Sequence, residues 1–517
     1  MTQLNTIGQH FASNLARAKN IADFRAKQHG QEAKVNVVGA GAVITAAFEQ
    51  LRNAAENTEE HLLLQSAIKR FFKRLFITRD DTLLKRSGDE LAVELTFAGY
   101  VPNDSLARTQ VDDITKLAEQ YYYTYERIIN ERSATGEQAL KWTLDVLSAR
   151  AEGVLNDHSM DDAFVDTASE YLTSMVSDRD REAQDYGARL LVAVYQALLK
   201  SNQALMRGVL LQRYNITPNE HSQYVSFNKM IDKLFDSKPV DKLTRFVDRQ
   251  GAPLRILRRM MRDYPNIDTL LNNKEQFLEA YEQEINKEYE NIGQRLNRAI
   301  IRSVIFLVIT KFIIGIAMEV PYDMWVYGEI HWPALIINLL FPPVYMIFLR
   351  TTLTLPPYAN TTALIGRMET MMYGSSEQLS SARVSERRYG NVFSFIYTGS
   401  ALVIFAAVIW LLLQFGFSWV HIVVFFLFFS AASFLGFRLS RLVRELEIIK
   451  AQQNGLTFIR DLIYLPFVIV GRWMSEKYAK VNIVTMLLDM VIELPLKTVL
   501  RLIRQWNGFI DDRKDAI

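Results

Sequence analysis

The sequence predicts an all-α protein: a large soluble helical domain followed by an α-helical membrane domain of about four spans and C-terminal amphipathic helices. From Thr45 to about Ile300, apolar side chains recur mostly at intervals of three and four, as on one face of a helix. Long apolar runs then lie between Ile301 and Leu439, and alternating strand-like runs are scarce. The average composition, 49% hydrophobic and 22% charged, conceals this division.

Composition and motifs exclude several classes of chemistry. The 517 residues contain no cysteine, so disulfides, thiolate metal sites and cysteine nucleophiles are ruled out. A net charge of +2 gives no reason to expect a nucleic-acid partner. Neither a Walker A loop, a Gly-x-Ser-x-Gly elbow nor a His-Glu-x-x-His pair occurs. No cofactor, metal site or catalytic residue is therefore predicted, and an enzyme is the less favoured reading.

The soluble part is predicted to comprise a partly flexible segment, 1–44, and a cytoplasmic helical domain, 45–300. Leu190–Leu199 is apolar almost all round but too short to span a bilayer, which predicts a buried helix. The apolar stripe from Leu278 to Ile300 continues directly into the first membrane run. We therefore expect one continuous helix, either a stiff stalk or an element that transmits movement.

The predicted membrane domain covers 301–439. Its four apolar runs are long enough, or nearly so, to cross a hydrocarbon layer of about 30 Å; they are 301–320, 334–349, 392–413 and 419–439. The last two are joined by only a few residues and must form an antiparallel hairpin.

Basic residues predict the orientation of these spans. Arginines flank the spans at one set of ends: Arg295, Arg298, Arg302, Arg350, Arg367, Arg383, Arg387, Arg388, Arg438, Arg441 and Arg444. The opposite connections, Glu319–Pro333 and Gln414–Val420, contain neither Lys nor Arg. Because positively charged loops stay in the cytoplasm, we expect both termini there, in a plasma or inner membrane.

The remaining residues, 440–517, contain two apolar stretches interrupted by charges, Leu456–Trp473 and Val481–Trp506. Such segments are typical of amphipathic helices that lie on the membrane surface or pack against other helices. Further membrane spans are the alternative.

The candidate site lies between the first two spans. Lys311 falls in the middle of the first apolar run, where a charge requires a partner or water. Glu319 lies near the end of that run, and Pro342-Pro343 disturb the backbone hydrogen bonds of the second. Asp489 with Glu493 is a further candidate partner if their helix enters the bilayer. The structural alternative is a lysine that snorkels or pairs, beside prolines that only kink a helix.

A basic segment before the membrane domain is a candidate contact for anionic lipid headgroups. Its arginines are Arg245, Arg249, Arg255, Arg258, Arg259 and Arg262. The alternative is a solvated helix face balanced by Asp241, Asp248 and Asp263.

Two functional hypotheses follow. The first is a membrane-anchored interaction or scaffold protein, whose partners are the lipid bilayer and a protein bound by the cytoplasmic domain; a homo-oligomer is compatible with it. The second is an ion or proton transporter or channel with a polar site between the first two spans. A membrane enzyme has no motif to support it.

Overall fold

The computed structural model describes residues 4–37, 42–55, 60–176, 181–182, 185–375, 391–449 and 455–480. The structure is 83% helical, and its described residues form no strand, only an isolated bridge between Lys34 and Ala107. The all-α prediction is confirmed. The stretch Val481–Trp506, with Asp489 and Glu493, lies outside the described residues.

Contacts divide the chain into two compact units, with the boundary at Asp248 near the end of a helix. In the first unit the helices are α1 (Thr6–Gln31), α2 (Ala42–Ala55), α3 (Leu63–Thr78), α4 (Asp81–Leu84), α5 (Ser87–Phe97), α6 (Arg108–Asn130), α7 (Gly136–Leu155), α8 (Ser159–Ser174), α9 (Tyr186–Val194), α10 (Gln203–Arg213), α11 (His221–Phe235) and α12 (Lys238–Gln250).

Amphipathic faces assemble this first unit. Helix α1 packs along α8 and completely buries Phe11 and Leu15. Helix α9 continues into a π-helical turn, Tyr195–Leu199, and the apolar side chains from Leu190 to Leu199 are buried as predicted. Apolar burial of this kind contributes about 25 cal/mol per Å² removed from water.

A buried arginine connects three helices of the first unit. The Arg207 guanidinium on α10 is fully buried and donates to Asp145 Oδ2 on α7 at 3.2 Å. It also donates to Asn228 Oδ1 at 2.8 Å and to Asp232 Oδ1 at 2.5 Å, both on α11. Since Trp142 and Lys69 donate to the remaining carboxylate oxygens, each charge in the cluster has partners.

The second unit contains α13 (Ala252–Asp263), α14 (Ile267–Leu270), α15 (Lys274–Ile314), α16 (Val320–Val326), α17 (Trp332–Thr352), α18 (Tyr358–Tyr373), α19 (Asn391–Gln414), α20 (Trp419–Arg444) and α21 (Gly455–Lys480). Helix α15 has 41 residues and is therefore about 60 Å long. It confirms the continuous helix predicted from the soluble stripe into the first apolar run.

Four helical segments of the described chain are long and apolar enough to cross a membrane: Lys274–Val326, Trp332–Thr352, Phe395–Gln414 and Trp419–Arg444. They contain the four predicted runs almost completely. Many of their large apolar side chains are exposed, including Phe395 at 81% and Val403 at 68%. Exposed apolar surface of this extent is expected where lipid is the solvent.

One feature of the membrane helices differs from the sequence expectations, and a second feature adds to them. Helix α17 continues through Pro342 and Pro343, both of which are buried, instead of being interrupted there. Helix α21 packs against α20, with Phe467 fully buried between rings of α19 and α20. Gly471 lies so close to α20 that a Cβ there would be 2.2 Å from the Ser430 carbonyl oxygen.

Candidate functional site

A π-helical turn shapes the first span. Residues Gly315–Glu319 form this turn between α15 and α16. Eight residues of uninterrupted α-helix would leave Lys311 and Glu319 about 80° apart around the axis. The wider turn adds a residue and brings both side chains onto one face. Such turns are frequent at functional sites.

Lys311 and Glu319 form a buried ion pair. Lys311 Nζ donates to Glu319 Oε1 at 2.7 Å, and each side chain is 1% exposed. The ammonium group also lies 5.0 Å from the centre of the Phe428 ring on α20, within range of a cation–π interaction. The predicted central lysine therefore faces protein and does not snorkel to the membrane surface.

Two neighbouring helices contact this pair through Asn338. Its amide Nδ2 on α17 donates to Glu319 Oε1 at 2.9 Å and to the carbonyl oxygen of His421 on α20 at 3.1 Å. His421 lies in the first turn of α20, where Ser418 caps the helix, and the Ser418 hydroxyl is 2.8 Å from His421 Nδ1. The Asn338 amide thus connects the Glu319 carboxylate to the first turn of α20.

Asp323 extends the site towards the connection between α16 and α17. Its Oδ2 accepts the backbone N–H of His331 at 3.0 Å and lies 3.5 Å from His421 Nε2. The chain reverses here at Gly328, whose φ of +74° favours glycine. Asp323 is fully buried, whereas the His331 side chain is 35% exposed. Residues 327–331 mark what we call the loop end of the membrane helices.

We call Lys311, Glu319, Asp323, Asn338 and His421 the polar network. Several of its atoms are buried without a hydrogen-bond partner among the described residues: Glu319 Oε2, Asp323 Oδ1, Asn338 Oδ1 and His421 Nε2. Leaving such a group unsatisfied costs about 1–3 kcal/mol, and more when it is charged. The network therefore has capacity for additional protons or hydrogen-bond donors.

Apolar side chains enclose Lys311 on the side away from Glu319 and the loop end. We call this the apolar cluster, and its buried members are Leu296, Ile300, Leu307, Met346, Leu349, Val424, Phe428 and Ala432. Leu307 lies one helical turn before Lys311 on α15, and Phe428 covers the ammonium group. The polar network consequently ends at Lys311.

Of the predicted site residues, the structure brings Lys311 and Glu319 together. Pro342 and Pro343 lie one turn beyond Asn338 on the same helix and are buried. Sequence reasoning missed the roles of Asn338, Asp323 and His421. The available signal was a polar residue within an apolar run, at Asn338 in the second span and at His421 in the fourth.

The predicted headgroup arginines have different environments. Arg245, Arg249 and Arg262 are exposed, and Arg258 is half-buried. Arg255 is buried and donates to the Glu445 carbonyl oxygen at 2.7 Å, and Arg259 pairs with the buried Glu288. In the second unit these last two side chains thus bind protein groups.

Four apolar helices are compatible with insertion into a membrane, and the polar network lies among three of them. Comparison with protein-family models, curated proteins and solved structures finds no match for this chain. Within the part of the chain that the structure describes, no group of three or more His, Asp or Glu residues is arranged to hold a metal ion. The site is best characterised by its chemistry: buried, ionisable and incompletely hydrogen-bonded.

Proposed function

We propose that this chain is an integral membrane protein that moves an ion or a proton across the bilayer, using the polar network between α15, α17 and α20. The observation that carries the proposal is the buried ion pair between Lys311, in the middle of the first apolar run, and Glu319, near the end of that run. Ionisable groups are costly at this depth, and in membrane helices they typically mark ion paths or proton relays.

The incomplete hydrogen bonding supports transport over a purely structural role. Structural networks are usually fully satisfied, as the Arg207 cluster of the first unit illustrates. The polar network leaves Glu319 Oε2, Asp323 Oδ1 and Asn338 Oδ1 without donors among the described residues. These oxygen atoms can accept a proton or a hydrogen bond from another group. They therefore suit a site that binds and releases a cationic species.

The orientation predicted from the arginines completes the proposal. With both termini in the cytoplasm, the loop end of the membrane helices would face away from it. The large helical unit would then lie on the cytoplasmic side, where it has access to soluble partners. The scaffold role predicted from the sequence remains a prediction and does not depend on the polar network.

A flux measurement tests the proposal. The purified full-length chain in liposomes should move at least one ion in a panel of H⁺, Na⁺, K⁺, Mg²⁺ and Cl⁻, and Lys311→Met should change that flux. The matched control is Ile313→Met, at a position of the same span that is 58% exposed. Its flux should equal that of the wild type. The absence of flux for every ion, with correctly folded protein, would refute the transport function.

The scaffold hypothesis makes the opposite prediction. If the spans only anchor the helical unit, replacing them with an unrelated membrane anchor should preserve the biological role. If the transport proposal is correct, this replacement should abolish the role although the protein still reaches the membrane.

A further inference from the structure

We infer that the transported species is a proton, and that it enters at the loop end through Asp323 and His421. This inference rests on the transport function proposed above and names its substrate. It follows from three features of the polar network: the order of its titratable groups, the charge already present at its inner end, and the apolar cluster beyond it.

Titratable groups are arranged in order from the loop end inwards. The partly exposed His331 lies at the surface, with Nδ1 3.9 Å from Asp323 Oδ2. The same Asp323 oxygen is 3.5 Å from His421 Nε2, and both side chains are fully buried. The His421 carbonyl oxygen and Glu319 Oε1 share the amide of Asn338, which places the Lys311–Glu319 pair next in the series.

The inner end of the network already carries a positive charge. The Lys311 ammonium group is 2.7 Å from Glu319 Oε1, so a metal cation bound to Glu319 would meet strong repulsion. A proton avoids this repulsion because it neutralises a carboxylate by forming a covalent O–H bond. Histidine is also the side chain whose ordinary pKa lies closest to neutral pH, which suits reversible proton uptake.

The transfer step that the geometry supports is between Asp323 and His421. A proton from water at the loop end passes by way of the partly exposed His331 to an Asp323 carboxylate oxygen, so that an N–H bond of the imidazolium breaks as an O–H bond forms. The O–H bond then breaks as an N–H bond forms at His421 Nε2, a nitrogen that has no hydrogen-bond partner among the described residues. Asp323 is returned to the carboxylate form, the imidazole becomes imidazolium, and no other reactant is consumed.

Protonated His421 would then act on the inner pair through its charge. Burial opposes a positive charge on this ring; Asp323 and Glu319 stabilise that charge, and Lys311 and His331 repel it. Ser418 on the same element contacts Nδ1, and the Phe417 ring lies at its edge. A second positive charge near Lys311 favours transfer of an ammonium proton to the Glu319 carboxylate, to which it is already hydrogen-bonded. The N–H bond breaks as an O–H bond forms, so proton uptake at the loop end leaves a neutral lysine and a protonated carboxyl group.

The apolar cluster makes this access one-sided. Leu307, Phe428 and Met346, all at most 4% exposed, follow Lys311 on the side away from the loop end. The apolar cluster therefore closes the polar network on the side away from the loop end in this conformation. Release on the opposite side requires the apolar cluster to move.

The experiment measures H⁺ and Na⁺ flux separately in liposomes that contain the full-length chain, over a range of pH. The test variant is His421→Gln, which replaces the imidazole by a polar amide side chain of similar size that cannot titrate. We expect its H⁺ flux to fall by about tenfold or more and to lose the pH dependence of the wild type. The control is His10→Gln, on the exposed surface of the first unit, which should retain both.

Asp323→Asn provides a second variant in case His421→Gln fails to fold, because asparagine can still accept the His331 N–H. It should also reduce H⁺ flux. Flux of Na⁺ or another ion without H⁺ flux would overturn this inference and leave the transport function standing. H⁺ flux with the wild-type pH profile in both variants would overturn the entry route. The absence of any flux would refute the transport function itself.

Discussion

Lys311 and Glu319 are eight residues apart on one helical segment, yet Lys311 Nζ lies 2.7 Å from Glu319 Oε1. The π-helical turn at Gly315–Glu319 rotates the two side chains onto the same face of the segment. Positions 307, 311, 315, 319 and 323 are all buried, whereas most positions between them are exposed. In an uninterrupted α-helix a step of four drifts by about 40° each time, so the π turn keeps these positions on one protein-facing stripe.

The first prediction concerns the energetic dependence of this pair. Lys311→Met should leave the Glu319 carboxylate buried without its counter-charge and reduce the free energy of unfolding by about 3–5 kcal/mol. The double variant Lys311→Met, Glu319→Gln should lose less than the sum of the two single variants, since Asn338 can still donate to the glutamine. Denaturation in detergent measures all four proteins. Additive losses would contradict a coupled pair.

The second prediction concerns the close packing of α21 on α20. A Cβ at Gly471 would meet the Ser430 carbonyl oxygen at 2.2 Å and Phe434 Cβ at 2.7 Å, and both atoms are held by the α20 backbone, so one of the two helices would have to shift. Gly471→Ala should therefore cost about 1–3 kcal/mol. Gly366→Ala, in helix α18 with open space around its Cα, is the matched control and should be neutral or stabilising. Thermal unfolding in detergent compares the two, and equal effects would argue against the described packing.

The third prediction concerns the buried arginine of the first unit. Arg207→Met should destabilise this unit by about 3–5 kcal/mol, because Asp145 keeps a buried carboxylate with one fewer partner. Arg207→Lys should recover little of the stability that Arg207→Met loses, since an ammonium group cannot reproduce the planar set of donors of a guanidinium group.

Arg213→Met tests a neighbouring arginine on the same helix. Its ion pair with Asp166 is exposed, and such pairs contribute about 0–1 kcal/mol. Amide hydrogen exchange in α7, α10 and α11 of the full-length protein measures the effects of Arg207→Met and of Arg213→Met. Similar protection in Arg207→Met and Arg213→Met would contradict the central position assigned to Arg207.

The fourth prediction concerns pH. A hydrogen bond of 2.5 Å from His158 to Glu152 raises the pKa of this histidine above its ordinary value of 6.5. A raised pKa in the folded state means that the protonated histidine stabilises the fold. This stabilisation is complete below about pH 6.5 and is lost as the pH rises through the pKa of the folded protein.

His158→Gln and Glu152→Gln should therefore each flatten the pH dependence of the unfolding temperature above that value. Thermal unfolding of the full-length chain across neutral and weakly alkaline pH measures the effect. An unchanged pH profile in His158→Gln would show that this contact does not contribute.

The sequence was informative where a single physical pattern decides the structure. Long apolar runs predicted the four membrane helices, and the uninterrupted stripe from Leu278 to Ile300 predicted α15. Lys311 was identifiable as a site residue because a charge in an apolar run is visible without any knowledge of the fold.

The rest of the polar network depends on tertiary structure. Helical periodicity places Glu319 away from Lys311, and the π turn that reunites them has no clear sequence signature. Asp323 resembled an ordinary acidic residue of a loop. His421 joins the network only because α20 packs beside α15 and α17, and the order of the spans does not specify which of them are neighbours.

Water access to the polar network tests the account most directly, and the absence of native cysteines makes the measurement clean. Asn338→Cys in the full-length chain should react with a charged thiol reagent added at the loop end of the membrane helices, because thiolates form only where water reaches. Leu340→Cys, two residues away and 54% exposed on the apolar surface, should not react. Labelling of Leu340→Cys but not of Asn338→Cys would contradict a hydrated transport site at Lys311 and Glu319.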